Sequence, residues 1–488
     1  MPNKIGLEVS PPANAVTSAK APPEKSRILI QLVGFGLAVA LGLAIFFLPT
    51  PHGLSRPAQC VLGIVAVTVV LWIFRVLNNG ITSILMMALM ILVPIRPSLV
   101  FSGFAGPPFW ILLCVLFYGF AMQKTGLAQR ISYWILSLFP ATYTGILGAF
   151  LLIGLVLALG IPSMTVRTAI IVPIAYALVQ SLGLAKRGRG SALIMITAVE
   201  MAVVPGCAFL YGSLFGPVVD SVFQAKHLPL SWLGYAQVMA LPTVVLCMLL
   251  IVANQWMLRP ESALELTSDF ARRELAALGA FKRSELITAL VVLFSIAYWA
   301  TDRFHHLPSF LVGMFALGIF SLAGIIKDSD VSTGVSWTLL LFIGGIFSLA
   351  NVLQEYKVTD WIATFIVPVA SRLTFSVAVL VLAVACAMFL LRFLDPSGFI
   401  AIPVLFLPIS DVTGGAGIPP LVLVAPLIFA AVPFWASYQN IWIAMGEGIT
   451  AGEAFSAGQR VRLAHTYAIV ACVTLVLAVF YWKLIRVL

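Results

Sequence analysis

Charged and polar residues are scarce in this chain, so the few that interrupt apolar stretches are where chemistry can take place. Two interruptions stand out: Gly160-Ile161-Pro162-Ser163-Met164-Thr165-Val166-Arg167, and Arg392-Phe393-Leu394-Asp395-Pro396-Ser397-Gly398-Phe399. In the first, Gly160 and Pro162 free backbone groups. A helix resuming after Thr165 would offer unpaired N–H groups at the positive end of its dipole, which makes a cradle for an anion. Arg167 strengthens this, because a guanidinium in an apolar segment costs at least about 2.5 to 3.5 kcal/mol on insertion scales and is usually kept for a partner. That partner is either a bound anion or Glu200, the carboxylate inside the following span. On the first reading an Arg167→Ala chain folds but loses anion binding.

In the second interruption Arg392 and Asp395 frame a kink at Pro396, a hydroxyl at Ser397 and a close backbone approach at Gly398. Asp395 could bind a cation or a proton, or simply pair with Arg392. The spans after each interruption are themselves broken, at Pro205-Gly206 and at Ala436-Ser437-Tyr438-Gln439-Asn440, and their carbonyls and side chains either complete two facing half-sites or are ordinary kinks. The substrate-binding candidates are therefore Ser163, Met164, Thr165, Arg167 and Gly206 on one side, and Ser397, Gly398, Ser437, Tyr438 and Gln439 on the other. Asp395 and Glu200 are the candidates for a coupling ion.

Other chemistries are poorly supplied. His52, His227, His305, His306 and His465 lie in loops or at span ends, so a hydrolase built from Ser163 with Glu200 or Asp395 lacks a base and a nucleophile turn. The six cysteines sit in or beside apolar segments without close pairs, which indicates neither a disulfide framework nor a thiolate metal site. A non-enzymatic binding or transport role follows.

The elements that position these residues are set by composition. At 488 residues, 61% hydrophobic and 9% charged, the chain cannot solvate a globular surface, so lipid is its solvent. Apolar runs able to cross about 30 Å of hydrocarbon recur from Ile28 onward, and only helices satisfy their own backbone there. Stretches such as 147–159 and 379–391 lack the alternation of a membrane barrel. The net charge of +10 is spread over short loops rather than gathered on one surface, which argues for topology signals and against nucleic acid.

The expected plan is an all-α polytopic membrane protein of about 11 transmembrane helices. Residues 1–27 form a cytoplasmic tail, 28–258 a first membrane repeat, 259–285 a charged cytoplasmic linker and 286–488 a second repeat. Placing the basic loop at Lys186, Arg187 and Arg189 in the cytoplasm requires the segment around 160–167 to be the tip of a re-entrant hairpin. A second hairpin, tipped near 393–399, enters from the other side, and the C-terminus is external. Phe117–Ile131 resembles Phe347–Ile362, and Ile161-Pro162-Ser163-Met164 resembles Asp395-Pro396-Ser397-Gly398. Such repeats would be inverted, as in many secondary transporters whose site lies between two broken elements.

Pro162-Ser163-Met164-Thr165-Val166-Arg167, with Ile171–Ile174 after it, resembles the first Ser-Asn-Thr motif of the divalent-anion/sodium symporter family, in its citrate- and dicarboxylate-exchanging branch. Trp110–Leu113, Lys124–Arg130, Tyr211–Pro217, Ser336–Gly345 and Ser437–Asn440 are similar to other stretches of that family. The resemblance implies a secondary carrier of a small dianion, a di- or tricarboxylate rather than sulfate, in the bacterial inner membrane. It further implies two opposed hairpins, elevator-like movement, a homodimer, and sodium sites near Ser163, Gly206, Ser397 and Ala436. No cofactor is implied beyond Na+ or H+ as coupling ion. Two positions depart from the pattern: Met164 stands where the family has Asn, and Ser397-Gly398-Phe399 carries neither Asn nor Thr. A thioether does not ligate sodium as an amide oxygen does, so exchange and proton coupling through Asp395 or Glu200 stand beside sodium coupling. A receptor that binds the anion without moving it is the remaining alternative.

Overall fold

The computed structural model describes residues 24–260, 264, 269–393, 395, 397–436 and 439–488. They are helical throughout, with no strand among the described residues. Ten of the helices are long and apolar enough to cross a membrane. The expected count of about eleven is partitioned differently, because both limbs of the first hairpin reach that length. Asn79–Leu92 and Ser309–Leu322, read from sequence as spans, are apolar helices of 14 residues and fall short of it. Large apolar side chains point outward across the surface, Leu322 being 92% exposed, as lipid-facing positions should.

Small residues let backbones approach where no hydrophobic force between helices operates. Gly154 of helix Tyr143–Gly160 lies so close to helix Arg189–Val203 that a Cβ there would stand 2.0 Å from the Met201 carbonyl oxygen. Gly190 likewise abuts the Tyr143 hydroxyl. These two contacts, one at each end, make the two helices parallel. Helix Met164–Ser181 joins Arg189–Val203 through the short turn 182–188 and packs along it, running the other way. The segment 143–181 therefore enters and returns on one side, folding back at 161–163.

A second pair, Val377–Leu391 and Ala401–Gly415, flanks the tip that includes Asp395 and Ser397–Ile400. The order of elements around the two hairpins is the same. An amphipathic helix precedes each, Leu127–Leu138 and Val358–Leu373. A broken span follows each: Arg189–Val203, a 3-10 turn Val204–Ala208 and Phe215–Ala225 in the first half; Val424–Ala430 and Ile441–Ile449 in the second. A long helix closes each half, Trp232–Met257 and Ala457–Leu484, and these two pack together, with Trp482 Nε1 donating to the Val238 carbonyl at 2.9 Å.

The hairpins and broken spans are tied to one another. Lys226 pairs with Asp411 at 2.6 Å, Arg187 Nε donates to the Gly452 carbonyl at 2.9 Å, and Ser191 donates to that of Ala454 at 3.1 Å. Among the remaining helices Gly103 N donates to Ser348 Oγ at 3.1 Å and Asn351 to Ser102 at 2.8 Å. Arg130 fixes the first amphipathic helix to the linker through Glu285 at 3.0 Å and the carbonyl of Gly279 at 3.0 Å.

Candidate functional site

Ser163 caps helix Met164–Ser181, its Oγ accepting from Val166 N at 3.3 Å. Arg167 N bonds the Ser163 carbonyl at 3.0 Å. The N–H groups of Met164 and Thr165 lie ahead of the helical ladder and have no partner among the described residues. Ser163 and Met164 are buried and Thr165 is half-buried.

Arg167 is fully buried, and its guanidinium reaches only backbone. Nε donates to the Ala202 carbonyl at 2.7 Å, Nη1 to those of Gly212 at 2.7 Å and Ile161, and Nη2 to that of Val203 at 3.3 Å. These acceptors are the carbonyls freed where Arg189–Val203 breaks and where the hairpin turns. Arginine suits this because its fork of fixed donors can fill several carbonyls at once. The ion pair with Glu200 considered from sequence does not form, since Glu200 Oε2 accepts from Asn254 Nδ2 at 2.6 Å instead.

Gly206 belongs to this clamp by shape rather than by ligation. A Cβ there would stand 2.3 Å from Arg167 Nη2 and 2.3 Å from the Gly212 carbonyl oxygen. Gly206→Ala is expected to dislodge the guanidinium at a cost of about 1–3 kcal/mol, the usual penalty of overpacking. A thermal-melt comparison of the purified proteins checks it, and an unchanged midpoint would show that the clamp tolerates displacement.

At the second tip Arg392 plays the matching part. Buried like Arg167, it donates through Nη1 to the backbone carbonyl of Asp395 at 2.8 Å and through Nη2 to the carbonyl of Gln439, inside the second break. The Asp395 carboxylate turns the other way, onto the tip backbone and the start of helix Ala401–Gly415. Oδ1 accepts from Ser397 N at 3.0 Å and Ser397 Oγ at 2.6 Å; Oδ2 accepts from Ile400 N and Ala401 N, both at 2.9 Å. Gly398 takes φ +73°, with a would-be Cβ 3.1 Å from Ala431 Cβ, so the tip presses against the second break. Gln439 Oε1 accepts from Ala436 N at 2.9 Å, while Asn440 caps Ile441–Ile449 and donates to the Val432 carbonyl at 2.8 Å. Pro396, Ser437 and Tyr438 lie outside the described residues.

The structure thus gathers Ser163, Met164, Thr165, Arg167 and Gly206 into one cluster and Arg392, Asp395, Ser397, Gly398 and Gln439 into another. The broken spans bring them toward each other: Gly446 lies against Val199, and Phe215, just past the first break, packs on Phe399 with ring centroids 5.1 Å apart. A cavity of about 290 Å³ lined by Phe117, Leu317, Lys327 and Trp337 contains none of these residues. Sequence reasoning missed Asn254, the partner of Glu200. A lone asparagine inside the apolar helix Trp232–Met257 was a usable signal, since polar groups in lipid are kept for partners.

The fold and these clusters define an all-helical, multi-pass membrane protein built on two tip-clamped hairpins, each followed by a broken span. The chain belongs to the family described as the sodium:sulfate symporter transmembrane region, whose model matches residues 30–488. It is 23% identical to dicarboxylate transporter 1 of spinach chloroplasts (Spinacia oleracea) over 80% of this chain and 70% of that one. It is 24% identical to the putative malate transporter YflS of Bacillus subtilis (68% and 71%) and 24% identical to the inner membrane protein YbhI of Escherichia coli (67% and 71%). The solved YdaH transporter of Alcanivorax borkumensis shares the fold at 12% identity and a TM-score of 0.53, over 94% of this chain and 98% of that one. The family and these names indicate a secondary transporter rather than an enzyme.

Proposed function

We propose that this chain carries a small divalent anion, a di- or tricarboxylate in preference to sulfate, across the bacterial inner membrane by alternating access. The observation that carries the reading is the first tip. Two backbone N–H groups stand unpaired among the described residues at the start of a helix, beside a buried guanidinium that carries no carboxylate partner. Oriented N–H groups and a helix start favour an anion, and burial strengthens that attraction. The second tip differs, because Asp395 already fills its N–H groups. One carboxylate of the substrate is therefore placed at Met164 and Thr165, with Ser397, Gly398 and Gln439 closing over the far end.

Relatives named as dicarboxylate and malate transporters favour the carboxylate over sulfate. The ties that join the hairpins to the broken spans suit an elevator in which these elements move as one body. A homodimer held through the static helices, a cytoplasmic N-terminus and an external C-terminus complete the proposal. The coupling ion is Na+ or H+.

Proteoliposomes loaded with unlabelled succinate should take up labelled succinate by counterflow, and labelled sulfate more slowly. Absence of counterflow with either anion would end the carrier reading. Binding of succinate without counterflow would favour a receptor.

A further inference from the structure

Helix Arg189–Val203 is buried from Gly190 to Val203, and Glu200 is its only carboxylate. The Glu200 carboxyl group has one bond, from Asn254 Nδ2 to Oε2 at 2.6 Å. The same amide nitrogen also donates to Thr197 Oγ1 at 3.1 Å, so its two hydrogens are used. Two acceptors of this cluster, Glu200 Oε1 and Asn254 Oδ1, meet no donor among the described residues. An acceptor buried without a donor is destabilising, and more so when it is charged. An ionised Glu200 in this position would bear an uncompensated charge in a region that spans the membrane.

One hydrogen supplies the donor that the cluster lacks. A proton on Oε1 neutralises the acid and gives it a donor, and Asn254 Oδ1 is the unfilled acceptor on the side chain it already touches. An alkali cation would need a shell of several oxygens, which two free acceptors do not supply. Other titratable groups do not compete for the role. Cys247 on Trp232–Met257 and Tyr467 on Ala457–Leu484 face Glu200, and Tyr467 donates to the Phe429 carbonyl at 3.1 Å. On the remaining elements against this helix, Arg167 is held by carbonyls, Cys207 lies in the 3-10 turn of the break, Tyr176 bonds Glu453, Tyr143 abuts Gly190 and Glu447 pairs with Arg460.

We propose that Glu200 is held as the neutral acid facing Asn254, and that this proton is the cation moved together with the anion. The assignment rests on the carrier reading and deepens it by naming the coupling ion. The step is a simple association: an aqueous proton forms an O–H bond with the Glu200 carboxylate on one side of the membrane, and the bond breaks to water on the other. Position supplies the coupling. Ala202 and Val203, two and three residues on, hold the Arg167 clamp, so the protonation state of Glu200 and the first tip share one helical turn. A carrier body with Glu200 ionised would have to drag a bare charge through the membrane, and only the neutral form crosses freely.

The test uses the full chain in proteoliposomes with a pH-sensitive dye inside and labelled succinate outside. The wild type should acidify the lumen as succinate enters and should accumulate it on an inward proton gradient. The Glu200→Gln carrier, whose amide reproduces the neutral shape and the donor toward Asn254, should keep succinate counterflow yet lose lumenal acidification and gradient-driven accumulation at least tenfold. Acidification that persists in Glu200→Gln, or wild-type uptake that follows a sodium gradient without any pH change, would overturn the proton assignment while leaving the carrier reading intact. Absence of wild-type counterflow would overturn both. Infrared spectra of the purified wild type provide a measurement independent of the variant's folding: a neutral carboxyl band at pH 7 that Glu200→Gln removes is expected, and its absence from the wild type would refute the proposal.

Discussion

Arg167→Ala is expected to abolish the folded carrier rather than only its affinity for an anion. Four carbonyls, those of Ile161, Ala202, Val203 and Gly212, lose their donor together. Each buried group left unsatisfied costs about 1–3 kcal/mol. The sum, roughly 4–12 kcal/mol, is comparable with the whole stability of about 5–15 kcal/mol typical of a folded protein. Size-exclusion profiles in mild detergent should show aggregate in place of a monodisperse peak. Arg167→Lys, with three donors on a point rather than a planar fork, should fold with a clearly lowered melting temperature. A monodisperse Arg167→Ala protein melting with the wild type would show that water fills the clamp as well as the guanidinium does. Such a chain does more than lose its ligand, because the Arg167 side chain is committed to the backbone.

Asp395→Ala should be the second most damaging change, and it should act on the tip itself. The carboxylate accepts four bonds, three from backbone N–H groups of Ser397, Ile400 and Ala401 and one from the Ser397 hydroxyl. Bonds to a charged group contribute about 1.5–3 kcal/mol each, so a loss of about 3 kcal/mol or more is expected even if water replaces half of them. Asp395→Asn keeps one acceptor oxygen and should fall between the two. Melting temperatures ordered wild type, Asp395→Asn, Asp395→Ala would support the capping role. An Asp395→Asn carrier that melts as the wild type but moves no protons would instead make Asp395 the proton carrier and displace Glu200.

Much of the architecture was legible because lipid leaves few choices. Apolar run length determined that the described chain is helical, and the Pro, Gly and Ser clusters at 160–163, 205–206 and 395–398 marked where helices had to break. The basic loop at Lys186, Arg187 and Arg189 pointed to a hairpin tipped near 160–167, and the packing of Gly154 and Gly190 is that of a chain that returns. The rarity of arginine in apolar segments singled out Arg167 and Arg392 as residues with committed partners.

What those partners are was decided only in three dimensions. Arg167 finds carbonyls 35 to 45 residues away, and Arg392 one 47 residues away. Every residue carries a carbonyl, so nothing in the side-chain alphabet says which will be freed by a distant break and aimed at a guanidinium. Asp395 could equally have faced Arg392, a cation or the start of the next helix, and the turn at Gly398 with its positive φ settled it in favour of the helix. Glu200 met Asn254 because two helices separated by the first break pack side by side. Composition and periodicity therefore determine which groups must be satisfied in lipid, whereas the pairing of each group with its partner depends on how the broken ends are brought together.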